Sequence, residues 1–204
     1  DTNIYNTLKT QDGLYTLMVK EFDGSLTKRV IGSITEILFA PANPIQVIQK
    51  MASPEVKIVT LTITEGGYNY NEATKSFDKE NPAILYDIAN PSAPKTVFGY
   101  LTQALKLRKE NGSKGFTIQS CDNIQGNGDM TKTMLLSYVQ MAEPSLVAWI
   151  ENQVSFPNSM VDRITPATSP KDIERLQTEA GIDDAWPVVC EPFKQWVIED
   201  DFVN

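Results

Sequence analysis

The chain contains no histidine. That absence removes Ser-His-Asp and Cys-His nucleophile activation, the HExxH zinc pattern and every metal site built on imidazole. Cysteine is nearly absent too. Cys121 and Cys190 lie far apart without CxxC spacing, and read as two buried thiols in a reduced cytosol. No apolar run approaches the ~20 residues of a membrane span, so no membrane partner is expected. The opening Asp1-Thr2-Asn3 lacks the charged head and apolar middle of a signal peptide, which points to a cytoplasmic protein. Basic charge is in short supply, with 18 Lys and Arg against 26 Asp and Glu and a net charge of −8. Nucleic-acid binding rests on cations that neutralise phosphates. The one basic concentration, Lys106, Arg108 and Lys109, reads as the solvated face and last turn of a helix. No nucleic-acid partner and no bound metal are expected.

What is present suits a globular α/β protein. A chain of 204 residues is long enough for one sizeable domain that buries roughly 70% of its unfolded surface. Leu14 to Phe22, an Asp23-Gly24 turn and Arg29 to Phe39 read as a hairpin rich in β-branched and aromatic residues. Asn43-Pro44 has the form of an N-cap and first-turn proline, opening a helix to about Met51. Val56 to Ile63 is nearly continuous in apolar residues and threonine, as in a parallel strand covered on both faces. Residues 65–81 read as a polar loop, and Asn81-Pro82 as the start of a short helix. Lys95 to Asn111 spaces Val97, Leu101 and Leu105 for a helix that Gly112 stops. Phe116 to Gln119 is the next strand, followed by a helix capped at Asn127 or Gly128 and running to Met141. Pro144 breaks that segment before a short helix to Asn152, and Ser169-Pro170 opens another helix that ends at Gly181. Alternation of this kind predicts a Rossmann-like sheet of mainly parallel strands with flanking helices.

Polar, turn-forming clusters follow the strands. Thr62-Ile63-Thr64-Glu65-Gly66-Gly67-Tyr68 closes one, and Ser120-Cys121-Asp122-Asn123-Ile124-Gln125-Gly126-Asn127-Gly128 closes another. A third cluster runs from Phe156 to Pro166. Ligands of parallel α/β sheets bind at the carboxyl ends of strands, so three such clusters suggest one site. Each candidate residue also has a plainer reading. Asn123 either faces that crevice or caps a turn, and Asp122 reads as an acceptor for backbone amides that shapes the loop. Gly66 and Gly67 either let a backbone approach a cofactor or form a simple strand exit. Asp162 and Arg163 either line the site or pair on a solvated loop. Asp183, Asp184 and Glu191 look like a carboxylate cluster for acid/base or metal work, but the apolar Trp186-Pro187-Val188-Val189-Cys190 between them reads as an inter-domain packing stretch.

These clusters, with Ser92-Ala93-Pro94-Lys95-Thr96-Val97-Phe98-Gly99-Tyr100 and Asp183-Asp184-Ala185-Trp186-Pro187-Val188-Val189-Cys190-Glu191-Pro192-Phe193, closely resemble the polyol-specific long-chain dehydrogenases. The likeness runs from about Gln11-Asp12 to the last residue and leans toward the mannitol-oxidising branch. It implies a metal-independent oxidoreductase that moves hydride between NAD, with NADP as the alternative, and a polyol/ketose pair, D-mannitol and D-fructose. Fructuronate or tagaturonate reduction, arabinitol oxidation, and a non-catalytic α/β binding module stand as alternatives. The resemblance implies that Asn123 stabilises the substrate alkoxide beside the cofactor. Glu65 and Gly66 are then expected near the nicotinamide ribose or substrate, Val161 over the nicotinamide, and Asp162, Asn158 and Arg163 toward the substrate hydroxyls. Asp1 either meets the ribose 2′-hydroxyl of NAD or is a frayed terminus. No GxGxxG-type turn occurs. The chain is therefore expected to be a single, incomplete dinucleotide-binding domain, residues 1–204, of a larger two-domain enzyme. Its first βαβ unit would lie upstream, and a C-terminal domain supplying a lysine base and a second asparagine would lie downstream. Residues 1–204 alone are then expected to be inactive.

Overall fold

The computed structural model describes residues 2–203. In chain order its elements are α1 (Thr2–Thr10), β1 (Tyr15–Lys20), β2 (Leu26–Ile31), α2 (Pro44–Ala52), β3 (Ile58–Leu61), α3 (Thr64–Gly67), β4 (Tyr70–Asn71), β5 (Ser76–Phe77) and α4 (Pro82–Ala89). They continue with α5 (Val97–Glu110), β6 (Thr117–Ser120), α6 (Asn127–Ala142), a 3-10 turn (Pro144–Leu146), α7 (Val147–Gln153), β7 (Ser159–Asp162), α8 (Pro170–Ala180), β8 (Val188–Cys190) and β9 (Gln195–Ile198). The backbone falls into two compact units. The first is residues 1–39 with 162–195, and the second is residues 40–161 with 196–204.

In the first unit, the hairpin of β1 and β2 turns at Asp23-Gly24, where Gly24 has φ +84° and Ser25 N–H donates to Asp23 Oδ1. Its second strand runs from Leu26 to Ile31 rather than from Arg29 to Phe39. Part of the apolar stretch Trp186–Cys190, read as inter-domain packing, serves as a strand of its own unit. Val188–Cys190 pairs in parallel with β1, giving the order β2-β1-β8. Met18, Val189 and Leu176 of α8 form the small core on that sheet. Ser169 and Asp172 make a reciprocal capping box at the start of α8, which stops at Gly181 in the left-handed conformation. Asp184 is buried and accepts from Gln11 Nε2 and from the backbone N–H groups of Thr16 and Trp186. Glu191 Oε1 accepts from Ile164 N–H. The acidic residues near position 190 thus serve backbone donors of their own unit.

The second unit holds the larger core. β3 and β6 pair in parallel, Ile58 opposite Thr117 through Leu61 opposite Ser120. Helices α5 and α6 contribute Phe98, Leu101, Leu105, Leu135 and Tyr138 to a cluster with Phe116, Ile118, Leu146 and Ile150. Each such side chain stabilises the fold by about 1.5–3 kcal/mol when fully withdrawn from water. All four β6 residues are buried, but β3 is not covered on both faces: Ile58 is 45% exposed while Leu61 is 4% exposed. Among the described residues β3 pairs only with β6, so its alternate side chains meet solvent. Residues 65–81 are not an unstructured loop, since they contain part of the helical turn α3 and the β4–β5 hairpin, Tyr70 opposite Phe77.

Arg108 overturns its reading as a solvated cation. It is 2% exposed, stacks 4.8 Å from the Phe116 ring, and donates to the carbonyls of Met51, Ser53, Val56, Lys114 and Gly115. Five oxygens without a carboxylate satisfy a buried guanidinium because its donors spread over a rigid fork. The end of α2 and the approaches to β3 and β6 are thereby tied to one side chain.

Candidate active site

β3 and β6 run side by side in the same direction, so the turns that leave their carboxyl ends emerge together. Those turns carry Glu65 and Gly66 on one side and Asn123 on the other. They enclose a cavity of about 400 Å³ lined by these three with Tyr68, Tyr70, Glu72, Ile124, Gln125 and Met130. Asn123 is exposed, and its carboxamide makes no hydrogen bond to any described residue. Glu65 and Gly66 are exposed as well. A Cβ placed on Gly66 would meet nothing within 4 Å, so the backbone there borders open space.

Asp122 holds the two turns together. Its Oδ1 accepts from Thr64 N–H at 3.0 Å, and its Oδ2 from Ile63 N–H at 3.0 Å and from Tyr68 Oη–H at 2.7 Å. The loop-shaping role read for this carboxylate is thus visible in its partners. Tyr68 is 1% exposed, not a loop tyrosine in solvent, and burial pushes its hydroxyl well above the ordinary value of 10. Burial, and secondly the Asp122 charge, also raise the Cys121 thiol, so Cys121 is no activated nucleophile.

Residues 120–128 begin α6 in a way the sequence does not announce. Gly126, at φ +64°, occupies the N-cap position and offers no side chain. The cap comes from Asn158, whose Oδ1 accepts from Gly128 N–H at 2.8 Å and Asp129 N–H at 3.2 Å. Asn158 Nδ2 donates to Asp129 and Glu199 carboxylate oxygens. Gly128 is required there: a Cβ would lie 2.3 Å from Phe156 O and 2.6 Å from Pro157 O. Asn127 is buried, donating to Asp122 O at 3.0 Å and Ser159 O at 2.9 Å, while its Oδ1 accepts from Ser159 N–H. It bridges the 120–122 turn to β7 rather than capping its own helix.

The structure therefore brings Glu65, Gly66 and Asn123 to one cavity. Asn158 has its side chain engaged at the start of α6, and Val161 is exposed on β7, which pairs with β9. Asp162 and Arg163 fall in the first unit, where the Arg163 guanidinium donates twice to Glu191 O. Asp1 lies outside the described residues. Tyr68, Asn127 and Gly128 are the structural supports that sequence reasoning underweighted. Among the described residues no group of three or more Cys, Asp or Glu is placed to hold a metal ion, and no helix is long and apolar enough to cross a membrane.

Comparison with known proteins bears on this arrangement. The family described as Mannitol dehydrogenase Rossmann domain matches residues 1–204. A polyol:NADP oxidoreductase of Gluconobacter oxydans is 46% identical over 196 residues, 96% of this chain and 40% of that protein. A mannitol 2-dehydrogenase of Aspergillus terreus is 50% identical over 204 residues, again 40% of its length. The chain thus spans about two fifths of the length of the curated relatives it matches. Among solved structures, Pseudomonas fluorescens mannitol 2-dehydrogenase in a ternary complex with NAD and D-mannitol superposes with a TM-score of 0.96 at 48% identity, covering all of this chain and 42% of that one. A substrate-free D-sorbitol dehydrogenase superposes equally well at 44% identity.

Proposed function

The chain belongs to the mannitol dehydrogenase family through its Rossmann domain, and from that premise we propose that it forms part of an NAD-dependent polyol dehydrogenase acting on D-mannitol and D-fructose. The single observation that carries the proposal is the cavity at the carboxyl ends of β3 and β6, lined together by Asn123, Glu65 and Gly66. Crevices of this kind, at the carboxyl ends of strands in open α/β sheets, take the reacting end of a dinucleotide. Gly66, with open space beside its backbone, fits the flat ring of a nicotinamide. When bound, NAD supplies the hydride acceptor or donor. Asn123 would hold the substrate oxygen through an amide N–H as negative charge develops on it, and one such donor contributes about 2.7–4 kcal/mol. Glu65 would border the ribose or the polyol hydroxyls.

The part this chain plays in the parent follows from its length and its exposed strand. We read it as the greater part of a dinucleotide-binding domain within a two-domain enzyme. The 45% exposure of Ile58 on β3 supports a further strand or helix packing there in the parent. The proton acceptor for the polyol hydroxyl is assigned to a lysine in the rest of that parent, as the family resemblance implies. Residues 1–204 alone are then inactive. Val161, Asp162 and Arg163 remain proposed contacts to nicotinamide and substrate, and Asn158 contributes by capping α6.

The test is steady-state oxidation of D-mannitol by the full-length protein with NAD and with NADP, alongside D-sorbitol and D-arabinitol. Replacing Asn123 by Ala should lower kcat about 10²-fold or more. Unchanged kcat in Asn123→Ala would refute the assignment of Asn123, and absence of turnover on every polyol would refute the substrate class.

A further inference from the structure

Asn123 presents a donor that nothing in its own side-chain surroundings holds. Its aim depends on the residue before it. Asp122 is fixed at four points: its N–H donates to Ser120 Oγ at 3.2 Å, its carbonyl accepts from Asn127 Nδ2, and both carboxylate oxygens are engaged by the 63–68 turn. Tyr68 carries one hydroxyl proton and lies within hydrogen-bond reach of Asp122 Oδ2 at 2.7 Å and of Ser120 Oγ at 2.6 Å. A carboxylate can only accept, so Tyr68 donates to Asp122 and accepts from the Ser120 hydroxyl. The result is a directed chain, Ser120 to Tyr68 to Asp122, that closes on the backbone of residues 63 and 64.

The clamped turn is itself strained. Thr64 has φ +59°, a left-handed conformation that is an outlier for a β-branched residue. Such a conformation persists only where surrounding bonds over-determine it, and the bond from Thr64 N–H to Asp122 is one of them. Glu65 and Gly66 follow immediately, so the same bond sets where the opposite wall of the cavity stands.

We propose that Asp122 and Tyr68 are positioning residues that lock the turn bearing Glu65 and Gly66 onto the turn bearing Asn123, so that the Asn123 amide meets the substrate oxygen without reorganising. The proposal rests on the reading of Asn123 as the donor to that oxygen. It assigns Asp122 and Tyr68 a role in the rate of the chemical step, exerted through Asn123 and without contact to substrate.

The experiment is steady-state kinetics on the full-length protein with NAD and D-mannitol, comparing Tyr68→Phe, Asp122→Asn, Asn123→Ala and the Tyr68→Phe/Asn123→Ala double variant. Tyr68→Phe keeps the ring in the core and removes only the bridging hydroxyl. Asp122→Asn keeps shape but turns one acceptor into a donor facing N–H or O–H groups. Misplacing a preorganised group by about 1 Å costs up to ~10²-fold, so each single variant should lose roughly tenfold or more in kcat. The loss should be larger in kcat than in the KM values for NAD and D-mannitol, because Asn123 acts on the transition state whereas Glu65 and Gly66 border the bound ligands. The double variant should be no slower than Asn123→Ala, since a positioning residue has nothing left to position. Ile150→Val, a buried core change outside the cavity lining, serves as the control for mere loss of stability: its Tm should fall while kcat holds. If Asp122→Asn does not fold, Tyr68→Phe and its cycle with Asn123→Ala decide the matter. An impaired Asn123→Ala enzyme beside unimpaired Tyr68→Phe and Asp122→Asn overturns the positioning role alone, as do losses that multiply in the double variant. An unimpaired Asn123→Ala enzyme overturns the functional reading and this inference with it.

Discussion

Gly128→Ala should be among the most damaging single-methyl additions to this chain. The new Cβ would sit 2.3 Å from Phe156 O and 2.6 Å from Pro157 O. Both neighbours are backbone atoms, so no side chain can rotate away. Restoring ordinary contact distances requires residues 156–158 to retreat by about 1 Å, and overpacking of this kind costs roughly 1–3 kcal/mol. The same retreat pulls Asn158 Oδ1 from Gly128 and Asp129 N–H, removing the cap of α6 at about 1 kcal/mol more. The expected total is about 2–4 kcal/mol. At about 2–4 °C per kcal/mol for a chain of this size, the unfolding midpoint should drop by roughly 4–16 °C. Thermal unfolding followed by circular dichroism reads this directly. Gly66→Ala is the internal comparison, because its Cβ would meet nothing within 4 Å and its midpoint should move little. A Gly128→Ala midpoint within 1 °C of the parent would refute the reasoning, as would a larger loss in Gly66→Ala than in Gly128→Ala.

Two further outcomes follow from buried or paired charges. Arg108→Met should be strongly destabilising, because leaving even two of its five carbonyls without a donor costs about 2–6 kcal/mol, and Arg108→Lys should fall between, with only three donors to share; denaturant unfolding ranks the three proteins. The Asp172 carboxyl is held below its ordinary value of 3.8, first by the Ser169 hydroxyl and then by Ser169 N–H and Lys20. A depressed folded pKa means that its stabilisation is complete above 3.8 and is lost as pH falls through the lower folded value. Asp172→Asn should therefore lower the midpoint at pH 6, with the gap to the parent narrowing below pH 3.8; a gap constant across that range would contradict the capping assignment.

The order of elements in the second unit is readable from local chemistry. Asn43-Pro44, Asn81-Pro82 and Gly112 mark helix ends because caps and stops act within four residues, and each mark falls where the structure places it. The sequence also shows Asp122 as a backbone acceptor and sets Glu65, Gly66 and Asn123 at strand ends. What escapes is whatever depends on distant partners. Arg108 has the spacing of a solvated helical face, and only the arrival of residues 51–56 and 114–116 buries it. The cap of α6 comes from Asn158, thirty residues away from Gly128, so no local pattern at 126–128 could disclose it. Val188–Cys190 is too short to announce a strand and becomes one by pairing with β1. Tyr68 sits among Gly and Asn residues typical of exposed loops, yet it is withdrawn into the core by Ser120 and Asp122.

The claim that Asn123 acts on the hydride step is tested most directly by the deuterium isotope effect on kcat. Full-length parent and Asn123→Ala enzymes would reduce D-fructose with NADH carrying deuterium at the transferred position. Loss of the amide donor should raise the barrier to hydride transfer alone, so kcat falls and the isotope effect on kcat rises toward its intrinsic value. A fall in kcat with an isotope effect that shrinks to unity, or no fall at all, would contradict the account.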